Sequence, residues 1–470
     1  MKTQNWLLKQ AQALPNHIAV FDSREKLSFL ELKEKVEELV GKLEIINPGK
    51  RVGLLAKNNL VTYQLALAII CSGRSIVWLN WRLATEELMR QIDDSQLQVC
   101  LVEDSLWRGE MDSRFEKFTA FKEIPAEKGQ LISEFDYDQV ASIMYTSGTT
   151  DNPKGVLQTF GNHFYSAVSS CLNLGLQPDD EWLCVAPIFH ISGFSIVMRG
   201  LIYGMTVRIV EKFDAEKVEH ILIQEPVTIM SVVPFMLKKL LARRKETNKC
   251  YNSAFRCMLL GGGTTDWPTL LSCQKYGIPV VQCYGMTETC SQIIALKASD
   301  ALKKIGSVGQ PLFTTQLRLT DDGEILLKTP ALTPGYLNLP EKLPAKKING
   351  WYKTGDVGHL DQDGYLYIDG RKDEMLISGG ENIFPQEVEQ VYQNYPGIKE
   401  IAVVGKNDRE WGQVPVAFVV SEQKIDSQKL INFGFKHLAH YKVPKEYHFV
   451  SELPKNASGK IRRFLLKQNF

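Results

Sequence analysis

One segment of this 470-residue chain, "MYTSGTTDNPKGV" (Met144 to Val156), has the composition of a phosphate-binding loop. Its hydroxyl groups and backbone N–H groups can donate hydrogen bonds to phosphate oxygens, and Lys154 adds a positive charge. The segment is not a Walker A loop, because that motif has Gly-Lys before Ser or Thr and here Lys154 precedes Gly155. It therefore predicts a phosphate site of another kind. A polar surface turn is the alternative for the isolated segment.

Six further segments with distinctive residue patterns follow along the chain. They are "APIFHISG" (Ala186 to Gly193), "LLGGG" (Leu259 to Gly263), "YGMTET" (Tyr284 to Thr289), "KTGD" (Lys353 to Asp356), "GRKDEMLISGGENIFPQEVE" (370–389) and "PKNASGKIRR" (454–463). In this order and at this spacing, the seven segments resemble the acyl-adenylate-forming superfamily of acyl-CoA synthetases, peptide-synthetase adenylation domains and luciferases. The resemblance extends from the N-terminal helix to Lys460 and covers nearly the whole chain.

The resemblance implies an enzyme that activates a carboxylic acid with ATP. The carboxylate attacks the α-phosphate and expels pyrophosphate, and the thiol of coenzyme A then takes the acyl group. Such an enzyme must offset the charge around the α-phosphate while it holds several anionic groups together. Hydroxyl donors, Mg²⁺ and a lysine meet that need, so ATP, Mg²⁺ and coenzyme A are the expected cofactors and co-substrates.

Two segments would hold the triphosphate if the family roles apply residue by residue. Thr287 would contact the α-phosphate, and Glu288 would bind Mg²⁺. The loop over the β- and γ-phosphates would consist of Thr146, Ser147, Gly148, Thr149, Thr150 and Lys154. Outside this motif, Glu288 could equally be a carboxylate at a helix start that pairs with neighbouring donors.

The nucleoside would lie against three other segments. Backbone at Gly261, Gly262 and Gly263 would approach the adenine closely because these residues have no side chain, and Tyr284 would add to the nucleotide site. Asp356 resembles the carboxylate that accepts hydrogen bonds from both ribose hydroxyls. Arg371 would contact the ribose or a phosphate. Taken individually, the glycines could be a strand-to-loop turn and Asp356 a turn cap.

The acyl group and coenzyme A would be served by residues from both ends of the chain. His190 would lie beside the acyl carboxylate, and Lys460 would bridge that carboxylate and the α-phosphate. The resemblance implies that a small C-terminal domain brings Lys460 to the larger domain and then rotates about Asp373. Gly379 and Gly380 would next line a tunnel for the thin pantetheine arm. The alternatives are a hydrogen-bonded structural histidine and a solvated lysine.

The sequence departs from the family pattern at Asp151, where the superfamily usually has glycine. Glycine at that position implies a backbone that can take positive φ, and Asp and Asn are the side-chain-bearing residues that tolerate it best. Asp151 and Asn152 can therefore keep the bend of the loop. The negative charge of Asp151 near the phosphates is expected to work against loop closure and ATP affinity.

Four segments narrow the substrate class: "QTFGNHFYSAVSS", "FHISGFS", "YGMTETCSQI" and "SGGENIFPQEVE". They resemble the 2-succinylbenzoate–CoA ligases of bacterial menaquinone biosynthesis. In that reaction the succinyl carboxylate is activated while the aromatic carboxylate stays ionised, so the pocket must hold an aryl ring and a second anion. The candidates are Ser192 and Arg199 for that anion, and Gln158, Phe160, Ser231 and Met286 for the pocket wall.

Several alternatives stay open. Arg199 could instead form a surface or interdomain ion pair. The substrate could be another aryl acid or a medium-chain acid, or the protein could bind adenylates without catalysis. A peptide-synthetase role is disfavoured because no phosphopantetheine-carrier motif follows residue 470.

The elements that would position these residues fall into two domains. Residues 1–300 alternate helical periodicity, as in "SFLELKEKVEELVGKLEII" with its capping pair Ser28 and Glu31, with short apolar runs. This alternation predicts an α/β domain with mostly parallel sheets. Residues from about 300 to 372 predict a β-rich subdomain that completes the large adenylation domain, 1–372. Residues 373–470 predict a small mobile α+β domain, with the hinge near Asp373. The segment "GRKDEMLISGG" (370–380) is the expected linker, and "DSQKLINFGFKHLAHY" (426–441) predicts a helix of the small domain.

The amino-acid composition of the chain limits the classes of partner and environment that are expected for it. The 55 Lys and Arg against 54 Asp and Glu give a net charge of +1 without a basic cluster, which disfavours a nucleic-acid partner. The most apolar window, "LALAIICSGRSIVWLN", is interrupted by Arg74 before it reaches membrane-spanning length. Nine cysteines without a C-x-x-C pair predict reduced, mostly buried thiols in a cytoplasmic protein. Homo-oligomerisation is left open.

Overall fold

Two large sheets form the N-terminal part of the protein in the computed structural model, which describes residues 1–146, 153–263, 265–379, 381–455 and 461–468. The first sheet has six strands, in the spatial order Lys154–Thr159, Val140–Thr146, Ser75–Leu79, Arg51–Leu55, Cys100–Val102 and Phe115–Lys117. All neighbouring strands are parallel except the first pair, which forms an antiparallel hairpin. In sequence, the predicted phosphate loop connects the two strands of this hairpin.

The second sheet has nine strands, and its six central strands are mutually parallel. In spatial order they are Gln310–Pro311, Ser291–Ala295, Val280–Met286, Cys257–Leu260, Ile229–Val232, Glu181–Cys184, Thr206–Ile209, Ile18–Phe21 and Lys26–Ser28. Antiparallel pairing is confined to the two edges. The predicted mostly parallel sheets are confirmed, and their ligands are expected at the carboxyl ends of the strands.

Helices cover these sheets. They are Trp6–Ala13, Phe29–Ile46, Leu60–Cys71, Thr85–Asp94, Phe118–Glu123, Phe160–Leu174, Ile191–Tyr203, Ala215–Gln224, Pro234–Thr247 and Trp267–Lys275, with short 3₁₀ turns at Asp104–Leu106 and Thr287–Thr289. Alternate residues of the strand Ser75–Leu79 are buried against different helices. Trp78 belongs to the core that includes Leu60–Cys71, whereas Val77 packs with Leu88. Burial of both faces explains why this strand is a continuous apolar run.

The predicted helix start at Ser28 is confirmed in detail. The Glu31 backbone N–H donates to Ser28 Oγ at 3.3 Å, and the Ser28 N–H donates to Glu31 Oε2 at 2.8 Å. This reciprocal capping box satisfies two of the unpaired donors at the helix N-terminus. The helix then runs to Ile46 and ends at Asn47, which has the left-handed φ of 42°.

Two smaller sheets complete the fold. The third sheet is antiparallel and consists of Gln316–Leu319, Glu324–Lys328, Trp351–Leu360, Lys347–Ile348 and Leu366–Arg371, beside the short helix Lys342–Ala345. The fourth sheet consists of Glu381–Ile383, Leu376–Ser378, Gly412–Ser421, Ile398–Asp408 and Glu446–Phe449, with the helices Pro385–Tyr392, Ser427–His437 and Arg463–Lys467 and a 3₁₀ turn at His440–Lys442. A further two-stranded ribbon pairs Lys2–Gln4 with Glu134–Asp136.

The connection between the third and fourth sheets is shorter than the segment "GRKDEMLISGG" suggested. Only residues 372–375 lie outside strands, because Leu376–Ser378 joins the fourth sheet. Leu376 and Ser378 are buried while Ile377 is exposed, so this stretch has the period-2 pattern of a strand. Similarly, the helix predicted over 426–441 ends at His437, because Leu438 has extended backbone. The domain boundary at 372/373 stays a prediction.

Cysteine burial agrees with the sequence-based expectation. Six of the nine free cysteines are buried, and Cys250 is exposed. Burial raises the pKa of Cys71, Cys184 and Cys257 to about 12, so these thiols stay protonated at neutral pH. Within the described ranges, no helix combines the length and apolar character needed to cross a bilayer.

Candidate active site

The stem of the predicted phosphate loop is a hairpin whose last paired residues are Thr146 and Lys154. Thr146 Oγ1 donates to the Lys154 carbonyl at 3.5 Å, and Tyr145 OH donates to Asp94 Oδ2 at 2.7 Å. The outer strand is held by Leu337, whose N–H donates to the Gly155 carbonyl at 2.7 Å. The structure thus fixes both ends of the loop. Four of its predicted residues (Ser147, Gly148, Thr149 and Thr150) and the unusual Asp151 lie outside the described residues.

A tight turn containing Thr287 and Glu288 lies against this hairpin. It follows the strand Val280–Met286, and Thr289 Oγ1 stabilises it by accepting from the Met286 N–H at 3.0 Å. Gln158, on the outer hairpin strand, donates from Nε2 to the Thr287 carbonyl at 2.9 Å. The predicted α-phosphate contact is therefore hydrogen-bonded directly to the strand that begins at Lys154.

The Glu288 carboxylate suits a metal that arrives with a phosphate ligand. Its Oε1 accepts from Tyr336 OH at 3.0 Å, and no described lysine, arginine or histidine forms a salt bridge with it. Burial and the Glu288 charge raise the pKa of Tyr336, so the phenol remains a donor. No cluster of three or more metal-ligating side chains occurs in the described parts of the chain. Mg²⁺ is commonly held by one carboxylate, substrate phosphates and water, and Glu288 fits that donor set.

Asp356, the predicted ribose contact, forms a cluster with two other polar side chains. Its Oδ1 accepts from Arg371 Nη1 at 2.9 Å, and its Oδ2 accepts from the Tyr284 hydroxyl. Burial, and next the charge of Asp356, raise the pKa of Tyr284 well above its ordinary value. Gly355 has a φ of 76°, and a Cβ there would lie 3.2 Å from Arg371 Nη2. The structure thus brings three predicted nucleotide-site residues together.

The glycine run lies at the carboxyl end of the strand Cys257–Leu260, between two other parallel strands. Gly262 has a φ of 78°, which favours glycine, and a Cβ on Gly261 would lie 3.1 Å from Cys283 Sγ. Gly262 and Gly263 are exposed. The run therefore offers uncovered backbone at the edge where α/β sheets bind ligands.

His190 and Ser192 lie where the helix Ile191–Tyr203 begins, after the strand Glu181–Cys184 of the same sheet. His190 is the N-cap residue, and its ring centroid lies 4.4 Å from that of Phe189. Both His190 and Ser192 are partly exposed. A Cβ on Gly193 would lie 2.3 Å from the Pro187 carbonyl oxygen, so glycine is needed for this close approach.

Two turns into the same helix, Arg199 is buried with a relative exposure of 2%. Its Nε and Nη2 have no hydrogen-bond partner among the described residues, and no described carboxylate pairs with it. Its guanidinium carbon lies 5.3 Å from the Trp182 ring centroid, and burial lowers the Arg199 pKa. This placement contradicts the alternative of a surface or interdomain ion pair. A buried guanidinium with two free donors is costly unless an anion completes it.

Ser195 adds a third unpaired polar group on this face of the helix. It is buried, it lies one turn before Arg199, and its Oγ has no hydrogen-bond partner among the described residues. Sequence reasoning missed it, because the available signal, the i, i+4 spacing from Arg199, has meaning only once this segment is known to be a helix.

Two predicted pocket-wall residues have other surroundings. Phe160 is fully buried and stacks on Phe135 with ring centroids 4.1 Å apart, so it belongs to the core. Gln158 is also fully buried, and its amide is hydrogen-bonded to the Thr287 carbonyl and to Ser142 Oγ. These placements contradict a wall position for both residues, because neither side chain has surface left for a ligand.

Ser231 and Met286 are partly exposed and remain candidates for the pocket wall. Ser231 Oγ accepts from Trp182 Nε1 at 3.2 Å, which places it beside the ring that faces Arg199.

The C-terminal sheet presents Gly379 beneath an exposed tryptophan. Gly379 has a φ of 58°, its N–H donates to the Trp411 carbonyl at 2.8 Å, and a Cβ on it would lie 2.7 Å from the Trp411 ring. Trp411 is 46% exposed, and sequence reasoning missed it. Gly380 and Lys460 lie outside the described residues. The predicted hinge Asp373 accepts from Arg371 Nε at 3.2 Å.

The segment that carries Lys460 is anchored on its C-terminal side. Arg463 Nη2 donates to Glu389 Oε2 at 2.8 Å, whereas on the N-terminal side Lys455 pairs with Glu400 at the surface. Arg463 Nη1 also donates to Glu374, the residue after the predicted hinge, at 2.8 Å. The anchors thus connect the flank of this segment with the hinge region.

Comparisons with known proteins identify the family of the chain. A family model described as AMP-binding enzyme matches residues 7–337, and one described as AMP-binding enzyme C-terminal domain matches residues 387–460. A 2-succinylbenzoate–CoA ligase from Listeria monocytogenes (serotype 4b, strain F2365) is 44% identical over 467 residues, 99% of each chain.

Solved structures of an o-succinylbenzoate–CoA synthetase from Bacillus subtilis are also similar. The complex with its acyl-adenylate intermediate has a TM-score of 0.95 at 38% identity, covering 99% of this chain and 98% of that one. The complex with ATP and magnesium ion has a TM-score of 0.93 at 38% identity, covering 99% and 100%. The predicted fold class is confirmed. With its two domain matches and full-length relatives, the chain belongs to the acyl-adenylate-forming superfamily of AMP-binding enzymes.

Proposed function

We propose that this protein is an AMP-forming 2-succinylbenzoate–CoA ligase of menaquinone biosynthesis. It activates the succinyl carboxylate with ATP, releases pyrophosphate, and passes the acyl group to coenzyme A with release of AMP. Beyond the full-length relatives, one observation carries the substrate: on the helix that follows His190, Arg199 is buried, and its Nε and Nη2 have no partner in the described part of the chain. A second, unreactive carboxylate would complete this site, and a simple fatty acid has none.

The nucleotide would be held across the edges of the two large sheets. Asp356 would accept from the ribose hydroxyls while Arg371 keeps it oriented, and the backbone of Gly262 would lie against the adenine. Thr287 would donate to the α-phosphate. Lys154 and the loop that precedes it would bind the β- and γ-phosphates.

The metal would be held by Glu288 together with the phosphates of ATP. Mg²⁺ supplies positive charge that offsets the triphosphate and stabilises the departing pyrophosphate. Among the described residues, only the Tyr336 hydroxyl donates to the Glu288 carboxylate, which leaves lone pairs of Glu288 available for this ligand.

The acid would enter beside His190 with its succinyl carboxylate towards Thr287. Arg199 and Ser195 would hold the aromatic carboxylate, with Ser192 nearer the entrance. Fixing the substrate at both ends would place the attacking oxygen next to the α-phosphate, and such positioning removes much of the entropic barrier. Lys460 would neutralise the charge that develops between the carboxylate and the α-phosphate.

For the second step, we propose that the small domain, 373–470, turns about Asp373. Gly379 would then form the wall of the pantetheine tunnel, and Trp411 would present its exposed ring beside it. Ion pairs of Lys372 with Asp322 and Glu324, with Nζ–O distances of 2.6 and 2.9 Å, hold the residue before the hinge to the large domain. The pivot would therefore begin after Lys372.

A panel of acids tests the substrate. The purified protein is incubated with ATP, Mg²⁺, coenzyme A and either 2-succinylbenzoate, benzoate or octanoate, and the thioester and AMP are measured by mass spectrometry. A site built to bind a polar group discriminates strongly against acids that lack it, so kcat/KM for 2-succinylbenzoate should exceed the others by about 10²-fold or more. Preference for octanoate would overturn this substrate, and the absence of AMP release with every acid tested would favour a non-catalytic protein.

Replacement of Asp356 tests the nucleotide site. The Asp356→Ala variant should raise the dissociation constant of ATP by about 10- to 100-fold, because hydrogen bonds to a charged group contribute about 1.5–3 kcal/mol. Isothermal titration calorimetry measures this change. Asp369→Ala is the matched control, since Asp369 pairs with His359 on the same sheet. Equal ATP affinity in the wild type and the Asp356→Ala variant would remove the ribose contact.

A further inference from the structure

A buried chain of polar side chains connects the helix Phe160–Leu174 with the turn at Thr287. His163 Nε2 lies 2.9 Å from Ser142 Oγ, Ser142 Oγ donates to Gln158 Oε1 at 2.7 Å, and Gln158 Nε2 donates to the Thr287 carbonyl at 2.9 Å. Gln158 and Ser142 have no exposed surface, and His163 is 2% exposed. The three side chains therefore form a connection within the protein, behind the candidate site.

The Thr287 carbonyl sets the direction of every hydrogen bond in this chain. A carbonyl only accepts, so the Gln158 amide must present its NH₂ to Thr287 and its oxygen to Ser142. The Ser142 hydroxyl therefore donates its hydrogen bond to Gln158 Oε1. Since it has no second proton, Ser142 Oγ must accept from His163 Nε2–H. Burial, and next the charge of Arg199, lower the pKa of His163 to about 3, so this ring is neutral at physiological pH. The arrangement thus has one consistent pattern of protons.

The Thr287 carbonyl also accepts from the Cys290 N–H at 3.3 Å, which closes the turn from within. The Glu288 carbonyl accepts from the Thr333 N–H at 2.7 Å, which connects the turn to the segment after the strand Glu324–Lys328. Gln158 holds the preceding carbonyl from the side of the phosphate hairpin. Since Thr287 and Glu288 are adjacent, a shift at either carbonyl would displace both side chains.

We propose that Gln158 is a positioning residue for the adenylation step: its amide, oriented by Ser142 and His163, fixes the Thr287 carbonyl and so the placement of Thr287 and Glu288 at the α-phosphate and metal. This inference rests on the proposed function. It replaces the predicted role of Gln158 in the pocket wall.

The Gln158→Leu variant removes the donor to Thr287 and should lower kcat for 2-succinylbenzoate-dependent pyrophosphate exchange by about 10²-fold, since small misplacements of reacting groups cost that much. The KM for ATP should change less than about threefold, because the lost alignment matters in the transition state. Gln10→Leu is the matched control. Gln10 is also a buried glutamine whose Nε2 donates to a backbone carbonyl, that of Leu201, at 2.9 Å.

The Gln158→Glu variant provides a pH readout that a general loss of stability would not give. A protonated carboxyl group can donate to Thr287 and accept from Ser142 as the amide does, whereas an ionised one can only accept. Burial raises the pKa of a carboxyl group, so the protonated form should be populated in the neutral range. Exchange activity relative to the wild type should therefore rise as the pH falls from 9 to 6, and the Gln158→Leu ratio should stay flat.

The outcomes separate this inference from the proposed function. A wild type that catalyses no exchange with 2-succinylbenzoate ends the proposed function, and with it the inference. An active wild type with a Gln158→Leu kcat within about twofold of it ends the inference alone. A Gln158→Glu ratio independent of pH also ends it. Near-ultraviolet circular dichroism of each variant identifies any that fails to fold. If Gln158→Leu fails to fold, the exchange activity of Gln158→Glu at acidic pH tests the inference in its place.

Discussion

The Lys460→Ala variant should catalyse 2-succinylbenzoate-dependent pyrophosphate exchange about 10²- to 10³-fold more slowly than the wild type, which is the usual cost of removing one group that stabilises developing charge. The ammonium group would be lost where the carboxylate oxygen, the α-phosphate and the leaving pyrophosphate all carry negative charge. Its attraction grows as these groups approach, so the loss should appear in kcat rather than in the affinity for ATP.

The second half-reaction distinguishes this role from a general disturbance of the small domain. Thioester formation from supplied 2-succinylbenzoyl-adenylate and coenzyme A should remain close to the wild-type rate, because that step follows loss of pyrophosphate. Lys455→Ala is the matched control from the same segment. Lys455 pairs with Glu400, and both side chains are about two-fifths exposed, so little should change. Wild-type exchange by the Lys460→Ala variant would contradict the proposed role.

Local signals in the sequence were sufficient for most of the fold. The capping pair Ser28 and Glu31 marks the start of a helix that the structure contains, and "SIVWLN" has the uninterrupted apolar character of a parallel strand covered on both faces. Each depends on residues within one element. The boundaries failed where tertiary contacts decide, as at Leu376–Ser378, which extends into the supposed linker by pairing with Glu381–Ile383 and Gly412–Ser421.

For the candidate site, the sequence predicted the nucleotide-binding residues better than the residues assigned to the acyl pocket. Residues whose backbone or charge contacts the nucleotide lie in recognisable motifs, and the structure brings Tyr284, Asp356 and Arg371 into one cluster. The direction in which a side chain points from its strand or helix is set by the surrounding packing. Gln158 lies on the outer strand of the phosphate hairpin and Phe160 follows that strand, yet both side chains point into the interior, where they contact Ser142 and Phe135.

Arg199 illustrates the limit most clearly. The helix "ISGFSIVMRGLIY" is apolar around Arg199, and its sequence does not tell whether the guanidinium reaches solvent, pairs with a carboxylate or stays buried without one. The structure places it inside, with Nε and Nη2 unpaired among the described residues. Burial of such a charge without a partner reduces stability, and functional sites commonly carry such costs.

The Arg199→Met variant should therefore lose activity and gain stability together. Its kcat/KM for 2-succinylbenzoate should fall by about 10²- to 10³-fold, since a buried carboxylate left without its cation costs about 3–5 kcal/mol. Without ligands, its thermal midpoint should rise, because methionine fills similar space and needs no hydrogen-bond partner. Differential scanning fluorimetry and steady-state kinetics measure the two changes.

The same contact can be tested from the substrate side, by using an acid that lacks the second carboxylate. 4-Oxo-4-phenylbutanoate has the same reacting end as 2-succinylbenzoate without the aromatic carboxylate. For the wild type this acid should be a poor substrate, because binding it would leave the Arg199 guanidinium buried and unpaired. For Arg199→Met the same acid should be as good a substrate as 2-succinylbenzoate or better. An equal loss with both acids would show that Arg199 supports the fold of the site rather than binding the second carboxylate, because only direct contact makes the effect depend on that group.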